Sequence, residues 1–199
     1  MKHLKLITLA FVVVFATACK NDTKTTLDTD NKEILPPPPP PPPTAPINAD
    51  KQLTINLSPK SDSNVEGSIS FTEKDGVVTM NGIIIGLEEG EHAIHIHEKA
   101  DCSSADGKSS GGHWNPTAQP HGKWGSEKGY HKGDIGNFTV EADGVGAIKM
   151  MTDEWCIGCG DENKDILGKA IIVHQGTDDF TSQPSGAAGA RVSCAGIIE

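Results

Sequence analysis

Ile69-Ser70-Phe71-Thr72-Glu73-Lys74-Asp75-Gly76-Val77-Val78-Thr79-Met80 is the stretch that decides the fold class. Ile69 and Phe71 alternate with polar neighbours, the period-two pattern of a strand with one buried face. Asp75-Gly76 interrupts that pattern and a second such run follows, which together read as a hairpin closed by a two-residue turn. The same signature extends outward. Leu53, Ile55 and Leu57 alternate upstream, and Asp143-Gly144 separates Phe138-Thr139-Val140 from Ala147-Ile148-Lys149-Met150. No long stretch repeats at the helical period, and 22 glycines favour turns. Periodicity therefore reaches an all-β antiparallel sandwich or barrel. Residues 47–199 suffice for one domain with a single substantial core.

Seven of the eight histidines fall inside this domain, between His92 and His174. Neutral imidazole is the commonest protein ligand for copper and zinc, and aspartate adds a hard oxygen donor. His95 and His97 are separated only by Ile96, so on a strand they project together while Ile94 and Ile96 turn inward. They offer two corners of one metal site. His113, His121, His131 and Asp134 come from a Gly-, Ser- and Pro-rich loop, and three nitrogens with one carboxylate suit tetrahedral zinc. His174 ends the apolar run Ala170-Ile171-Ile172-Val173, a strand terminus from which it can join the first pair.

These residues resemble the copper–zinc superoxide dismutases. GEHAIHIHEKADC (residues 90–102), GGHWNP (111–116), HG (121–122), HKGDIGNF (131–138), VHQGTDDF (173–180) and AGARVSC (188–194) occur in the family's order, a likeness spanning about residues 53–198. The resemblance implies an eight-stranded Greek-key β-barrel, related to immunoglobulin-like sandwiches, with metals outside it under long loops at residues 99–133 and 175–190. It implies that His95, His97, His113 and His174 bind copper, and that His113, His121, His131 and Asp134 bind zinc, with His113 as the bridge. Asp178 matches the aspartate that links a copper ligand to a zinc ligand, and His92 a structural histidine outside both sites. Arg191 matches the family's anion-guiding arginine. The implied activity converts two superoxide anions to dioxygen and hydrogen peroxide, with His113 and Arg191 as catalytic residues.

Cys19, Cys102, Cys156, Cys159 and Cys194 are the cysteines. Met1-Lys2-His3-Leu4-Lys5 and the apolar run to Phe15 read as a secretory signal, residues 1–18, too short to span a membrane. It ends Ala16-Thr17-Ala18-Cys19, which resembles a bacterial lipoprotein cleavage box with Cys19 as the lipidated residue. The other four cysteines allow three disulfide pairings in an oxidising compartment. The resemblance selects Cys102 with Cys194. That leaves Cys156-Ile157-Gly158-Cys159, which nothing in the family pattern matches. Flanking glycines and the lack of a strand–helix context favour a local staple over a redox dithiol or a third metal site.

Residues 19–46 form a linker: a polar stretch, then eight prolines from Pro36 to Pro43. Such a run extends roughly 25 Å and reads as a spacer between a lipid anchor and the domain. The expected location is the bacterial cell envelope, periplasmic or outer-membrane-anchored. Both monomers and homodimers are known in the family, and no residue decides between them. The chain carries −10; losing Lys2 and Lys5 with the signal leaves 15 basic against 27 acidic residues, or −12. That acidity argues against nucleic acid as a partner. It also repels superoxide at long range, so capture needs local positive charge. Residues 180–186 hold no lysine, leaving Lys123, Lys128 and Lys132 of the zinc loop as candidates beside Arg191. A non-catalytic copper or zinc storage or delivery domain is the alternative, although such stores repeat Met, Cys or His clusters and the four methionines here form none. Zinc-only hydrolysis and copper-only variants fit the ligand inventory less well.

Overall fold

The computed structural model describes residues 50–199; the expected signal segment, Cys19 and the proline run lie outside the described residues. Eight strands form: β1 (Lys51–Pro59), β2 (Glu66–Lys74), β3 (Val77–Ile85), β4 (Gly90–His97), β5 (Gly136–Val140), β6 (Val145–Thr152), β7 (Ala170–His174) and β8 (Arg191–Gly196). All pair antiparallel and close into a barrel in the order β1-β2-β3-β6-β5-β4-β7-β8. The β3–β4 and β6–β7 connections cross the barrel ends, the Greek-key arrangement expected. Among the described residues the only helix is a single 3-10 turn, Lys108–Ser110.

The opening hairpin forms as read. Lys74 pairs with Val77, and Asp75 (φ 51°) and Gly76 (φ 79°) both take the left-handed conformation that a tight two-residue hairpin turn demands. Ile69, Phe71, Val78, Met80 and Ile84 point into the barrel and are fully buried, with Ile94, Ile96 and Ile171 opposite them. Burying each such side chain favours folding by roughly 1.5–3 kcal/mol. The hydrophobic alternation thus fixes which side of each strand is inside.

β4 departs from simple alternation because both of its faces are covered. Ile94 and Ile96 face the core, while His95 and His97, 0% and 1% exposed, face outward beneath loop 98–135. That loop is nailed to β4 by two backbone hydrogen bonds, Ile96 N–H donating to Gly133 O (2.9 Å) and Trp114 N–H to Ile96 O (2.8 Å), while Gly133 N–H donates to Trp114 O (3.0 Å) within the loop. A Cβ on Gly133 would sit 2.1 Å from Ile96 O, so this approach requires glycine.

Among the described residues two disulfides form, Cys102–Cys194 and Cys156–Cys159, with sequence separations of 92 and 3. The first ties loop 98–135 to β8, as the resemblance implied. The second is the local staple, inside a third long connection, residues 153–169. Loop-closure entropy gives the long bridge about 5 kcal/mol and the short one about 2 kcal/mol before native strain. Replacing Cys102 and Cys194 with serine should therefore lower urea-measured unfolding free energy by about 3–5 kcal/mol, and the same change at Cys156 and Cys159 by about 2 kcal/mol or less. Equal losses for the two pairs would contradict this ranking.

Candidate metal centre

Strand register brings the distant histidines together. His97 and His113 make an isolated bridge, and β4 pairs with β7 through Ile94↔Val173 to His97↔Ala170. A register shift between Val173 and His174 places His174 opposite Arg191 on β8. Two groups of buried donor atoms result: His95, His97, His113 and His174, and His113, His121, His131 and Asp134, each with its ligand atoms within 4.8 Å of one another. These are the two sets expected from the sequence, and His113 belongs to both. His95 and His113 lie closest, their ring centroids 4.0 Å apart.

The hydrogen bonds show which ring nitrogen of each histidine is reserved. His95 Nε2–H donates to Asp178 Oδ2 (2.9 Å), His97 Nδ1–H to Gly111 O (3.0 Å) and His174 Nδ1–H to Gly189 O (3.4 Å). His121 Nε2–H donates to Asp178 Oδ1 (2.9 Å), and His113 Nδ1 lies 2.8 Å from Asp134 Oδ1. The opposite nitrogens, His95 Nδ1, His97 Nε2, His113 Nε2, His121 Nδ1, His131 Nδ1 and His174 Nε2, are buried without a hydrogen-bond partner. Nδ1 of His121 and of His131 does approach Asp134, at 3.0 and 3.1 Å, but without hydrogen-bond alignment. Buried polar atoms are almost always partnered, so six such nitrogens aimed at two points mark positions for cations. The donor chemistry fits copper for the all-imidazole set and zinc for the set containing Asp134.

Asp178 joins the two sets as expected, one oxygen to a ring in each. Its placement depends on residues to which the sequence assigned no role. Asn137 Nδ2–H donates to Asp178 O (2.9 Å) while Asp178 N–H donates to Asn137 Oδ1 (2.8 Å). Gln183 clamps His121 the same way, with both of its bonds at 2.9 Å. Gly186 sits at φ 67°, and a Cβ there would lie 1.8 Å from Asp178 Oδ1. The Asn137 and Gln183 contacts join partners 41 and 62 positions apart in the chain, so local spacing carries no trace of them. His92 stays outside both sets, its ring between the carbonyls of Glu88 and His174.

A cleft of about 680 Å³ opens onto His97, His113, His131 and His174, with Arg191 at its wall. The guanidinium is fixed by donating Nη1–H to Gly107 O (2.9 Å) and Ser110 Oγ (3.2 Å). The zinc-loop lysines do not line this cleft. Lys132 pairs with Glu154, which also accepts from Tyr130 (2.6 Å), and Lys123 lies over the Phe180 ring. The other cation in the cleft is Lys108, which the sequence did not single out, and Asp106 lies 2.9 Å from its ammonium.

Burial and neighbouring rings hold His97 and His174 well below the ordinary histidine pKa, and burial brings His113 down to about 4 against the pull of Asp134. His121 goes the other way, to about 9: burial lowers it, but Asp134 and Asp178 on either side outweigh that. In the apoprotein His121 is protonated at neutral pH, and a metal on Nδ1 must expel that proton. Zinc affinity should therefore rise by about tenfold per pH unit from pH 6 to 9 and then level off. A chelator-competition titration checks this, and a flat profile would exclude a charged His121.

A profile of copper/zinc superoxide dismutase (SODC) matches residues 65–197. Among solved structures, a SOD-like protein from Bacillus subtilis shares 30% identity at a TM-score of 0.66, covering 75% of this chain and 100% of that one. A doubly substituted variant of a SOD-like protein from Bacillus subtilis, with a tyrosine and a proline each replaced by histidine, shares 32% identity at 0.66, covering 73% and 97%. The clock protein EA4 shares 32% at 0.64, covering 75% and 96%. With two-thirds of its length matched and its barrel and histidine groups in place, the chain belongs to the copper/zinc superoxide dismutase family.

Proposed function

We propose that this protein is a superoxide dismutase, with His95, His97, His113 and His174 holding copper and His113, His121, His131 and Asp134 holding zinc. The supporting observation is the shared ring: His113 presents Nε2 to one donor set and Nδ1 to the other. Bound copper would supply one-electron redox chemistry suited to superoxide, while zinc has no redox chemistry of its own.

The protein's own groups do the remaining work. His113 faces the cleft, and its Nε2 can hold a proton and deliver it to a reduced oxygen species there. Asp134 keeps the other side of that ring oriented. His95 and His121 are bound to one carboxylate, so the two donor sets cannot drift independently. Arg191, permanently charged and fixed by neutral acceptors, draws a small anion toward the histidines and orients it. The two disulfides support an oxidising compartment. The same reading puts the domain in the bacterial envelope, tethered through Cys19, with superoxide as its partner molecule.

Copper and zinc near one each per chain, together with rapid superoxide disproportionation, are the expected results of metal analysis and a pulse-radiolysis assay. Metal binding without turnover would assign a storage or delivery role. His113→Ala should reduce turnover by at least about a hundredfold, the usual weight of a positioned proton donor. Undiminished activity would remove the bridge from the mechanism. Asp106→Asn should free the charge on Lys108 and raise kcat/KM about two- to threefold at low ionic strength, with the gain vanishing at high salt. An unchanged salt dependence would exclude Asp106 as a brake on anion capture.

A further inference from the structure

The 153–169 connection contributes no ligand to the histidine centre, yet it holds three convergent ligand-type side chains of its own. Donor atoms of Cys156, Cys159 and Asp165 lie within 4.8 Å of one another. We infer that they form a third metal site, closed by the disulfide in the oxidised protein and opened by reduction, that takes a borderline-soft divalent cation of the zinc type.

Each donor is held by something other than the sulfur–sulfur bond. Cys156 bridges to the 165 region through its N–H donating to Lys164 O (2.8 Å) and its carbonyl accepting from Ile166 N–H (3.0 Å). Its neighbour Ile157 donates N–H to the buried Glu73 carboxylate of β2 at 2.8 Å, and Trp155 and Ile157 are packed in the core. Cys156 is therefore anchored to the barrel. Cys159 stands between Gly158 and Gly160, whose N–H groups donate to Asp165 Oδ1 (2.9 Å) and Oδ2 (2.8 Å). Leu167 N–H adds a third bond, to Oδ1 (3.1 Å). The carboxylate thus acts as a spindle around which the cysteine loop is wound, and opening the disulfide leaves that winding in place.

The donor count leaves room for an ion. An ionised carboxylate offers about four lone-pair positions, and three amides occupy three of them. The remaining one is on Oδ2, which takes only the Gly160 bond. Two thiolates and one carboxylate oxygen, with a solvent molecule as fourth ligand, are a donor set that zinc accepts. Cys159 is exposed, so a reductant can reach it. A dithiol supplies two electrons and two protons, becoming a disulfide as Cys156 and Cys159 become thiols. The incoming divalent ion then displaces both thiol protons. Because the staple closes so short a loop, its opening leaves Cys102–Cys194 to hold the fold.

The experiment treats the full chain, with its histidine sites filled, with a mild dithiol and maps the free thiols by alkylation and mass spectrometry. Titration with Cd(II) should then produce a thiolate-to-cadmium charge-transfer band at one ion per chain, absent from unreduced protein and from Cys159→Ser. Asp165→Asn should weaken binding at least about tenfold. Because that variant can also loosen the loop, the unsubstituted chain is tested too: Zn(II) should slow alkylation of Cys159 at least about tenfold. No band despite both thiols mapped free would overturn the site, as would an equal band in Cys159→Ser or unchanged alkylation with zinc. Binding indifferent to Asp165→Asn would remove the carboxylate and with it the zinc-type assignment. Loss of the fold when only this pair is reduced would overturn the switch.

Discussion

Six buried imidazole nitrogens turned toward two shared points are the constraint around which this domain is organised. A buried polar atom left without a partner destabilises by roughly 1–3 kcal/mol, so a cluster of them weighs against folding. The arrangement is tolerable only because rigid elements impose it and because cations can relieve it. The rigid side is β4, whose Ile94 and Ile96 are locked into the barrel core, so His95 and His97 have no freedom to turn away. The pliable side is loop 98–135, made rigid by two backbone bonds to Ile96 of β4, by a third between its own Gly133 and Trp114, and by the Cys102–Cys194 bridge to β8. Asp178 couples the two, and its own main chain is clamped by Asn137.

Which parts of this were legible in sequence follows from the range of the interactions involved. Strand alternation and a two-residue turn are local, so the barrel strands could be read from Ile69, Phe71 and Asp75-Gly76 directly. The spacing of His95 and His97 is equally local, because a strand's period fixes where both rings point. The family likeness then supplied the pairing of Cys102 with Cys194 and the link through Asp178, neither of which spacing alone could choose. What stayed hidden was contact between residues far apart in the chain. Gln183 reaches His121 across 62 positions, and Glu73 reaches Ile157 across 84. Lys108 sits in a loop whose course is set by the disulfide rather than by pattern, so its place in the cleft was unreadable. Lys132 looked available until the fold set Glu154 beside it.

Charge distribution reconciles an acidic domain with the anionic substrate proposed for it. Long-range repulsion between exposed charges fades beyond about 10 Å at moderate salt, so what an approaching anion feels last is the cleft wall. There Arg191 is bound to a carbonyl and a hydroxyl and keeps its full charge, whereas Lys108 is partly cancelled by Asp106. Glu98 lines the same cleft. The attraction at the site therefore comes from one fixed guanidinium, set against the surplus negative charge of Glu98. Orientation of the anion rests on that single group more heavily than long-range steering does.

The two disulfides divide the labour between constraint and accessibility. Cys194 is 1% exposed and its bridge closes a loop spanning most of the domain, so breaking it would release loop 98–135 and the rings that loop carries. The other bridge closes three residues' separation, has one exposed partner, and lies in a connection already held by Trp155, Glu73 and the amide bonds to Asp165. A bond that adds little constraint where constraint already exists is poorly explained by stability alone. Its chemistry, two sulfurs beside a carboxylate with a free lone pair, is the property that distinguishes it from any apolar contact that could have closed the same turn.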